Sequence, residues 1–76
     1  MKVISEDDAQ SLADKLGCWI TQDSGFNPCV CWHEKEPIAN EHAEWWESSG
    51  SDGELRLRIE SKRHWTERKW KPSSIA

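Results

Sequence analysis

The segment Glu54–Lys62 most narrowly limits how this chain can fold, because its apolar and charged residues alternate. Leu55, Leu57 and Ile59 fall on one side of an extended backbone, and charged residues separate them. Successive side chains of a β-strand point to opposite faces, so the pattern predicts a strand with one buried and one solvent-facing side. Such a strand cannot bury its apolar row alone, and the rest of the chain has to cover it.

The N-terminal part of the chain predicts a helix that can supply this cover. Ser5 and Asp8 have the spacing of a capping box, and three acids in the first turn suit the positive end of the helix dipole. Four apolar residues then recur at helical spacing as far as Leu16, and Gly17 is a typical C-terminal stop. We therefore predict a helix from Ser5 to Gly17, preceded by a brief strand at residues 1–4.

The middle of the chain predicts a hairpin followed by a second helix. Residues 18–22 and 29–35 are candidate strands on either side of a loop rich in turn residues. Pro37 can begin a helix because its missing N–H would be unpaired there anyway, and apolar residues keep helical spacing beyond it. The pattern predicts a short helix near residues 38–48.

These elements together predict one α+β domain that spans residues 1–76. We expect a three- or four-stranded antiparallel sheet covered by the N-terminal helix, with the second short helix near residues 38–48. A turn followed by a final strand is preferred for residues 63–71, and residues 72–76 are expected to fray. The predicted core consists of Leu12, Leu16, Ile20, Val30, Trp32, Leu55, Leu57 and Ile59.

Tryptophan has to compensate for a shortage of other apolar residues. Apolar residues make up 36% of the chain and charged residues 32%, and six residues are tryptophan. Aromatic side chains bury roughly 150–250 Å² each, so the six indoles could remove about 900–1,500 Å² from water. A chain this poor in aliphatic residues cannot keep most of these rings for a ligand. We expect at least half of the tryptophans in the core.

Charge is distributed unevenly along the chain. Residues 1–54 carry twelve acids and three bases, a net charge of −9, whereas residues 55–76 carry two acids and seven bases, a net charge of +5. This asymmetry predicts either an acidic and a basic face with different partners, or two halves that neutralise each other across the fold.

The chain has no apolar run of the roughly 18 residues that would span a bilayer, and we expect no secretory signal. With an odd number of cysteines, it is expected to be cytoplasmic with reduced thiols.

One cluster of cysteine and histidine could hold a metal ion. Cys29, Cys31 and His33 alternate on one strand, and Cys18 could add a fourth ligand for zinc. Three ligands along a straight strand span roughly 13 Å, which is too far to converge on one ion. The alternative to a metal site is a set of small buried thiols beside a surface histidine.

A cysteine nucleophile is disfavoured, because nearby glutamates would raise the pKa of a thiol. We predict no enzyme activity, no metal and no cofactor.

The favoured functional prediction is a protein–protein interaction module, such as a small acidic regulator or inhibitor that occupies a basic site of its target. Proteins of mobile genetic elements often have this small size and acidic charge, but this similarity gives no support to any particular residue. Adjacent residues of a helix diverge by about 100°, so one of the two neighbouring tryptophans should stay partly exposed. Tryptophan is frequent among the residues that dominate interface energies. The sequence leaves the oligomeric state open. The predicted contact residues are Trp45, Trp46, Glu41, Glu44 and Glu47.

The alternative prediction is a nucleic-acid-binding accessory protein that uses the basic segment 63–71. Cations attract phosphates and indole rings stack on exposed bases. The segment's tryptophans could equally be core residues with a solvated basic fringe, and the net charge of −4 is unusual for a nucleic-acid-binding domain. The candidate residues are Arg63, Trp65, Arg68, Lys69, Trp70 and Lys71.

Overall fold

The computed structural model describes residues 1–74, and in this part of the chain one helix and eight short strands form an α+β fold, as predicted. The elements are β1 (Lys2–Ile4), α1 (Glu6–Leu16), β2 (Trp19–Gln22), β3 (Val30–His33), β4 (Ile38–Asn40), β5 (Trp45–Glu47), β6 (Asp52–Leu55), β7 (Leu57–Ile59), a 3₁₀ turn (Trp65–Glu67) and β8 (Lys69–Trp70).

The central sheet has four antiparallel strands in the order β6–β3–β2–β8, which confirms the predicted antiparallel sheet and the β2–β3 hairpin. Ile20 lies opposite Trp32 on one neighbouring strand and opposite Trp70 on the other, and it is fully buried. Its neighbour Thr21 points to the other face of the sheet and is also fully buried. Both faces of the sheet are therefore covered.

Helix α1 covers the first of these faces and begins and ends where the sequence predicts. The Ser5 hydroxyl accepts a hydrogen bond from the Asp8 backbone N–H at 3.1 Å, and Gly17 ends the helix in the left-handed conformation (φ 66°). Ala9 and Ala13 are fully buried, and their small side chains let the helix approach β2 and β8. Leu16 is 45% exposed, so its prediction as a core residue is wrong. It borders a cleft that Cys18, Trp32 and Leu55 also line.

The alternating segment forms two strands, so the prediction of one strand over Glu54–Lys62 is wrong. β6 pairs with β3 in the central sheet, whereas β7 pairs with β1 in a separate parallel ribbon, and the chain bends between them at Arg56. The predicted sides are kept: Ile59 is buried, and Leu55 and Leu57 pack against the core. Alternation reports the side that each residue faces, but it carries no information about which strand is the partner.

A hairpin replaces the predicted second helix, and the prediction of a helix near residues 38–48 is wrong. β4 pairs with β5 in an antiparallel ribbon in which Ala39 lies opposite Trp46. The turn between them is closed by the Asn40 side chain, which accepts a hydrogen bond from the Ala43 N–H at 3.0 Å, and Glu44 adopts a positive φ of 62°. The spacing of Ala39, Ala43 and Trp46 suits a helix, but only the ribbon places the Trp46 ring on the central sheet and turns its neighbour to solvent.

Four of the six tryptophans are buried, which confirms the prediction that at least half lie in the interior. The helix-side core also contains most of the predicted core residues, with four of them at its edge, partly buried. The buried tryptophans are Trp19, Trp46, Trp65 and Trp70, and the core residues at the edge are Leu12, Trp32, Leu55 and Leu57.

The C-terminal segment lies along the body of the protein. The predicted final strand is reduced to the two residues of β8, preceded by the 3₁₀ turn. Pro72 is buried, and the Ser73 N–H donates to the Asp14 carboxylate at 2.7 Å, which lowers the pKa of Asp14. The fraying predicted for residues 72–76 therefore does not begin at Pro72. Ile75 and Ala76 lie outside the described residues. Within the described part, no helix has the length and apolarity to cross a membrane.

Candidate functional site

Trp46 fixes the β4–β5 hairpin against the second face of the central sheet. Its indole N–H donates to the Gln22 carbonyl at 3.2 Å, and its backbone N–H donates to the Asp23 carboxylate at 3.2 Å. The ring meets Trp65 edge to face, with centroids 6.0 Å apart. Only 8% of Trp46 is exposed. One side of the hairpin is thus held by ring packing and by two hydrogen bonds.

The other side of the hairpin carries exposed apolar residues. Ile38 is 74% exposed and Trp45 is 51% exposed. Ile38 lies opposite Glu47, and Asn40 lies opposite Trp45, so all four side chains share the outer face. Together with the turn acids at 41 and 44 they form what we call the hairpin surface, which consists of Ile38, Asn40, Glu41, Glu44, Trp45 and Glu47.

Hydrogen bonds hold the exposed indole in one orientation. The Trp45 indole N–H donates to a Glu47 carboxylate oxygen at 2.8 Å, and the Asn40 side-chain amide donates to the same oxygen at 3.1 Å. These two bonds, the one from Trp45 first, lower the pKa of the Glu47 carboxyl below its ordinary value. An exposed tryptophan would otherwise sample several rotamers. Here its ring is positioned before any partner arrives.

The hairpin surface lies in a strongly acidic part of the chain. Residues 34–47 contain five glutamates, all exposed, against the single base Lys35. One of the five, Glu36, is paired with Lys69 at 3.1 Å. The Lys69 ammonium also lies 5.4 Å from the Trp19 ring and 5.6 Å from the Trp46 ring, which ties β8 to the start of the hairpin. The remaining glutamates are those at 34, 41, 44 and 47.

Sequence analysis predicted the divergence of the two neighbouring tryptophans, but for a different reason. Trp45 and Trp46 diverge because successive residues of a strand face opposite sides, not because they lie on a helix. Two residues of the hairpin surface were missed, Ile38 as an exposed contact and Asn40 as a positioning group. The three residues Ile38–Asn40 show no alternation of apolar and polar side chains, so the sequence contained no local signal for this face.

The residues predicted for nucleic-acid binding do not form one exposed patch. Trp65 and Trp70 are buried, the former against Trp46 and the latter in the core beside α1. Arg63 pairs with Glu6 at 2.6 Å, and its guanidinium also lies over the Trp70 ring. Lys69 is engaged at the hairpin, as described above. The other predicted residues, Arg68 and Lys71, are half-buried and exposed respectively.

The candidate metal ligands also occupy different surroundings. Cys29 is exposed, whereas Cys18 and Cys31 are half-buried, and all three thiols are free. Burial raises the pKa of Cys31 to about 11, and burial together with Glu54 and Asp23 raises that of Cys29. A search of the described residues found no group of three or more His, Cys, Asp or Glu side chains arranged to hold a metal ion.

His33 is 1% exposed, so its prediction as a surface histidine is wrong. Its Nε2 lies 2.9 Å from the Thr21 hydroxyl and its Nδ1 lies 3.0 Å from the Ser48 hydroxyl, so both ring nitrogens have partners. The prediction fails because the hairpin covers a sheet face that was expected to meet solvent. The Asp52 carboxylate approaches the nitrogen that Ser48 already contacts, at 3.9 Å, and Thr21 is fully buried. His33, Thr21 and Ser48 therefore link β2 and β3 to the segment after β5. The buried Thr21 hydroxyl is not accessible to a substrate.

Protonation of His33 should destabilise the protein as the pH falls. Burial lowers the pKa of His33, against a weaker opposing effect of Asp52. Below an unfolded-state pKa of about 6.5, the unfolded chain binds a proton that the folded chain resists, so the free energy of unfolding should decrease as the pH falls from about 6.5 until the folded pKa is passed. Urea unfolding at several pH values should show this decrease in the wild type.

His42 provides the matched control for this measurement, because it is exposed on the hairpin turn. The His42→Gln variant should keep the full pH dependence, whereas His33→Gln should lose most of it while being less stable at pH 8. Equal slopes in the wild type and in His33→Gln would show that His33 does not resist protonation.

Comparison of the chain with models of protein families, with curated proteins and with solved structures found no match.

Proposed function

We propose that this chain is a non-enzymatic binding protein that docks the hairpin surface onto a basic site of a partner protein. The main support is Trp45, which is half-exposed and yet held in place by Glu47. A ring that is oriented beforehand loses little conformational entropy on binding, and tryptophan is common among the residues that carry most of an interface's energy. Ile38 extends the apolar contact on the same face.

The charge around Trp45 supports a basic partner. Glutamates at the hairpin turn and along its edge surround the apolar contact, and carboxylates at the rim of an interface speed the encounter with a cationic surface. The protein would act as a small acidic regulator or inhibitor of the kind common in mobile genetic elements. It would act in the cytoplasm, where its three free thiols stay reduced. A basic groove, such as one that binds nucleic acid, is the kind of target site that these charges fit.

Nucleic-acid binding by residues 63–71 has less support. Stacking on bases needs exposed rings, and Trp65 and Trp70 are both buried. Two of the segment's cations, Arg63 and Lys69, are already paired with glutamates. What remains exposed is too small a group of charges to favour this function.

Substitution of Trp45 by alanine should remove partner binding while the protein stays folded. The immobilised wild type would be used to recover a partner from nuclease-treated cell extract, and the purified partner would then be titrated against each variant. The loss of a central anchor residue costs at least about 2 kcal/mol of binding free energy, which weakens the affinity by roughly 30-fold. Phe26→Ala is the matched control, since Phe26 is an exposed ring on the β2–β3 loop; it should bind the partner as the wild type does.

A second variant tests the electrostatic part of the proposal. Glu41→Gln combined with Glu44→Gln removes two charges and leaves the Glu47–Trp45 bond intact, so it should slow association and flatten its salt dependence. Equal affinity of the Trp45→Ala and Phe26→Ala variants would contradict the proposal. Recovery of no protein would also contradict it, as would recovery of material that nuclease destroys.

A further inference from the structure

Two adjoining cavities lie between the β1–β7 ribbon and the β2–β3 loop. The first has a volume of about 400 Å³ and the second of about 510 Å³. Val3, Pro28 and Arg58 line both, so the two cavities meet along these residues. Neither cavity includes any residue of the hairpin surface.

The first cavity contains two arginines without a counter-ion. Arg58 and Arg68 both line it, and among the residues described by the structure neither has a carboxylate within 4.0 Å, although the chain contains fourteen acids. The Arg68 Nε donates to the Arg63 carbonyl at 3.0 Å, which holds the guanidinium, and no group of residues 1–74 hydrogen-bonds its terminal amino groups. Arg58 is exposed, whereas Arg68 is half-buried and has lost part of its hydration, so an anion that reaches Arg68 gains strong, charge-assisted hydrogen bonds.

The second cavity is mostly apolar. Its walls include the side chains of Met1, Val30, Leu55 and Leu57, with Glu54 at its edge. A ligand that fills both cavities would therefore carry a negative group at one end and an apolar body at the other.

The β2–β3 loop carries an uncovered aromatic ring at the rim of the two cavities, and the ring itself lines neither of them. Phe26 is 95% exposed, and its neighbours divide between the cavities: Gly25 lines the first and Asn27 lines the second. Gly25 has a φ of 107°, which favours glycine and fixes the turn that presents the ring. Among the described residues nothing covers Phe26, and a planar ligand body would give it a surface on which to stack.

We propose that these cavities bind a small phosphate monoester with a planar, apolar body. The phosphate would lie between Arg58 and Arg68, where a doubly charged group with three acceptor oxygens can satisfy two guanidiniums. The body would lie in the second cavity, next to the β2–β3 loop that carries Phe26. Glu60 in the first cavity and Glu54 in the second keep the net positive charge low, which disfavours a polyphosphate or a nucleic-acid strand.

The test uses phenyl phosphate as the probe, with phenol and inorganic phosphate as its two halves. Each would be titrated into the full chain at constant ionic strength and followed by two-dimensional amide NMR. Phenyl phosphate should move the amides of residues 25–27 and 58–61 and should bind at least about tenfold more tightly than either half. Arg58→Gln should weaken binding by about tenfold, because it removes a charge-assisted contact. Phe26→Ala should weaken it by about threefold, the loss expected for one stacking contact.

Arg56→Gln is the matched control, because Arg56 is also exposed, lies two residues from Arg58 and lines neither cavity. Arg56→Gln removes the same charge as Arg58→Gln. It should leave the affinity within about twofold of the wild-type value, the change expected from a distant surface charge. An equal loss in both arginine variants would overturn the proposal, since it would indicate general charge attraction. Equal affinity for phenol and phenyl phosphate would overturn it as well, as would no change in the spectra at millimolar phenyl phosphate. None of these outcomes bears on the hairpin surface.

Discussion

Replacing Trp46 by alanine should lower the free energy of unfolding by about 3–5 kcal/mol, the range expected for removing a buried tryptophan. The variant loses the indole hydrogen bond to Gln22, the edge-to-face contact with Trp65 and the ring beside Lys69. It also leaves a cavity between the hairpin and the central sheet. Much of the stability of a domain this small would be lost.

The adjacent Trp45 gives a matched control of the same residue type and the same substitution. Trp45 is half-exposed and its indole bonds only an exposed carboxylate, so Trp45→Ala should cost about 1 kcal/mol or less. Urea unfolding followed by circular dichroism would measure both variants, and Trp46→Phe, which keeps a ring but loses the N–H, should lie between them. Equal losses in the two alanine variants would mean that the hairpin is not anchored through Trp46.

Replacing Gln22 by methionine should lower the free energy of unfolding by about 4 kcal/mol, because two buried backbone groups would lose their partners at about 1–3 kcal/mol each. The Gln22 side chain donates to the Ile59 carbonyl at 2.9 Å and accepts from the Ile59 N–H at 2.7 Å. These two bonds replace the backbone pairing that a neighbouring strand would provide, and they join the β1–β7 ribbon to the central sheet. Methionine has a similar volume but can make neither bond.

Gln10 on helix α1 is the control for this substitution. Its side-chain amide donates to Asp14 and to the Lys71 carbonyl, but these groups are near solvent and water can replace the lost bonds. Gln10→Met should therefore cost about 1 kcal/mol or less. If Gln22→Met were as stable as Gln10→Met, the two side-chain bonds to Ile59 would not hold the ribbon in place.

The stability measurements also separate folding from binding in the proposed function. Trp45→Ala should remain folded and lose the partner, whereas Trp46→Ala should lose the partner because the hairpin is no longer held. A variant that binds normally in spite of an unfolded hairpin would exclude the hairpin surface as the site.

Local sequence was sufficient wherever the deciding contacts lie within a few residues. Helix α1 follows from the Ser5 cap, from apolar residues at helical spacing and from Gly17, all of which act within the helix itself. The β2–β3 hairpin follows from two short strand patterns around a loop of turn residues. The sequence likewise indicated that the neighbouring tryptophans would diverge, since no regular backbone points adjacent side chains the same way.

The same local reasoning failed where residues far apart in the chain decide the structure. Residues 38–48 fit both a helix and a hairpin, and only packing on Trp65 and the Gln22 carbonyl selected the hairpin and Trp46 as its inward ring. His33 is buried for the same reason, because the hairpin covers the sheet face to which it points.

The residue pattern is enough to predict the helix, the first hairpin, the sides of the alternating segment and the uneven charge. The tertiary structure alone decided the break at Arg56, the parallel pairing of β1 with β7, the burial of His33 and the choice of Trp45 as the exposed ring. The physical reason is that a side chain's own pattern fixes the side that it faces. What covers that side depends on surfaces that come together only when the whole chain has folded.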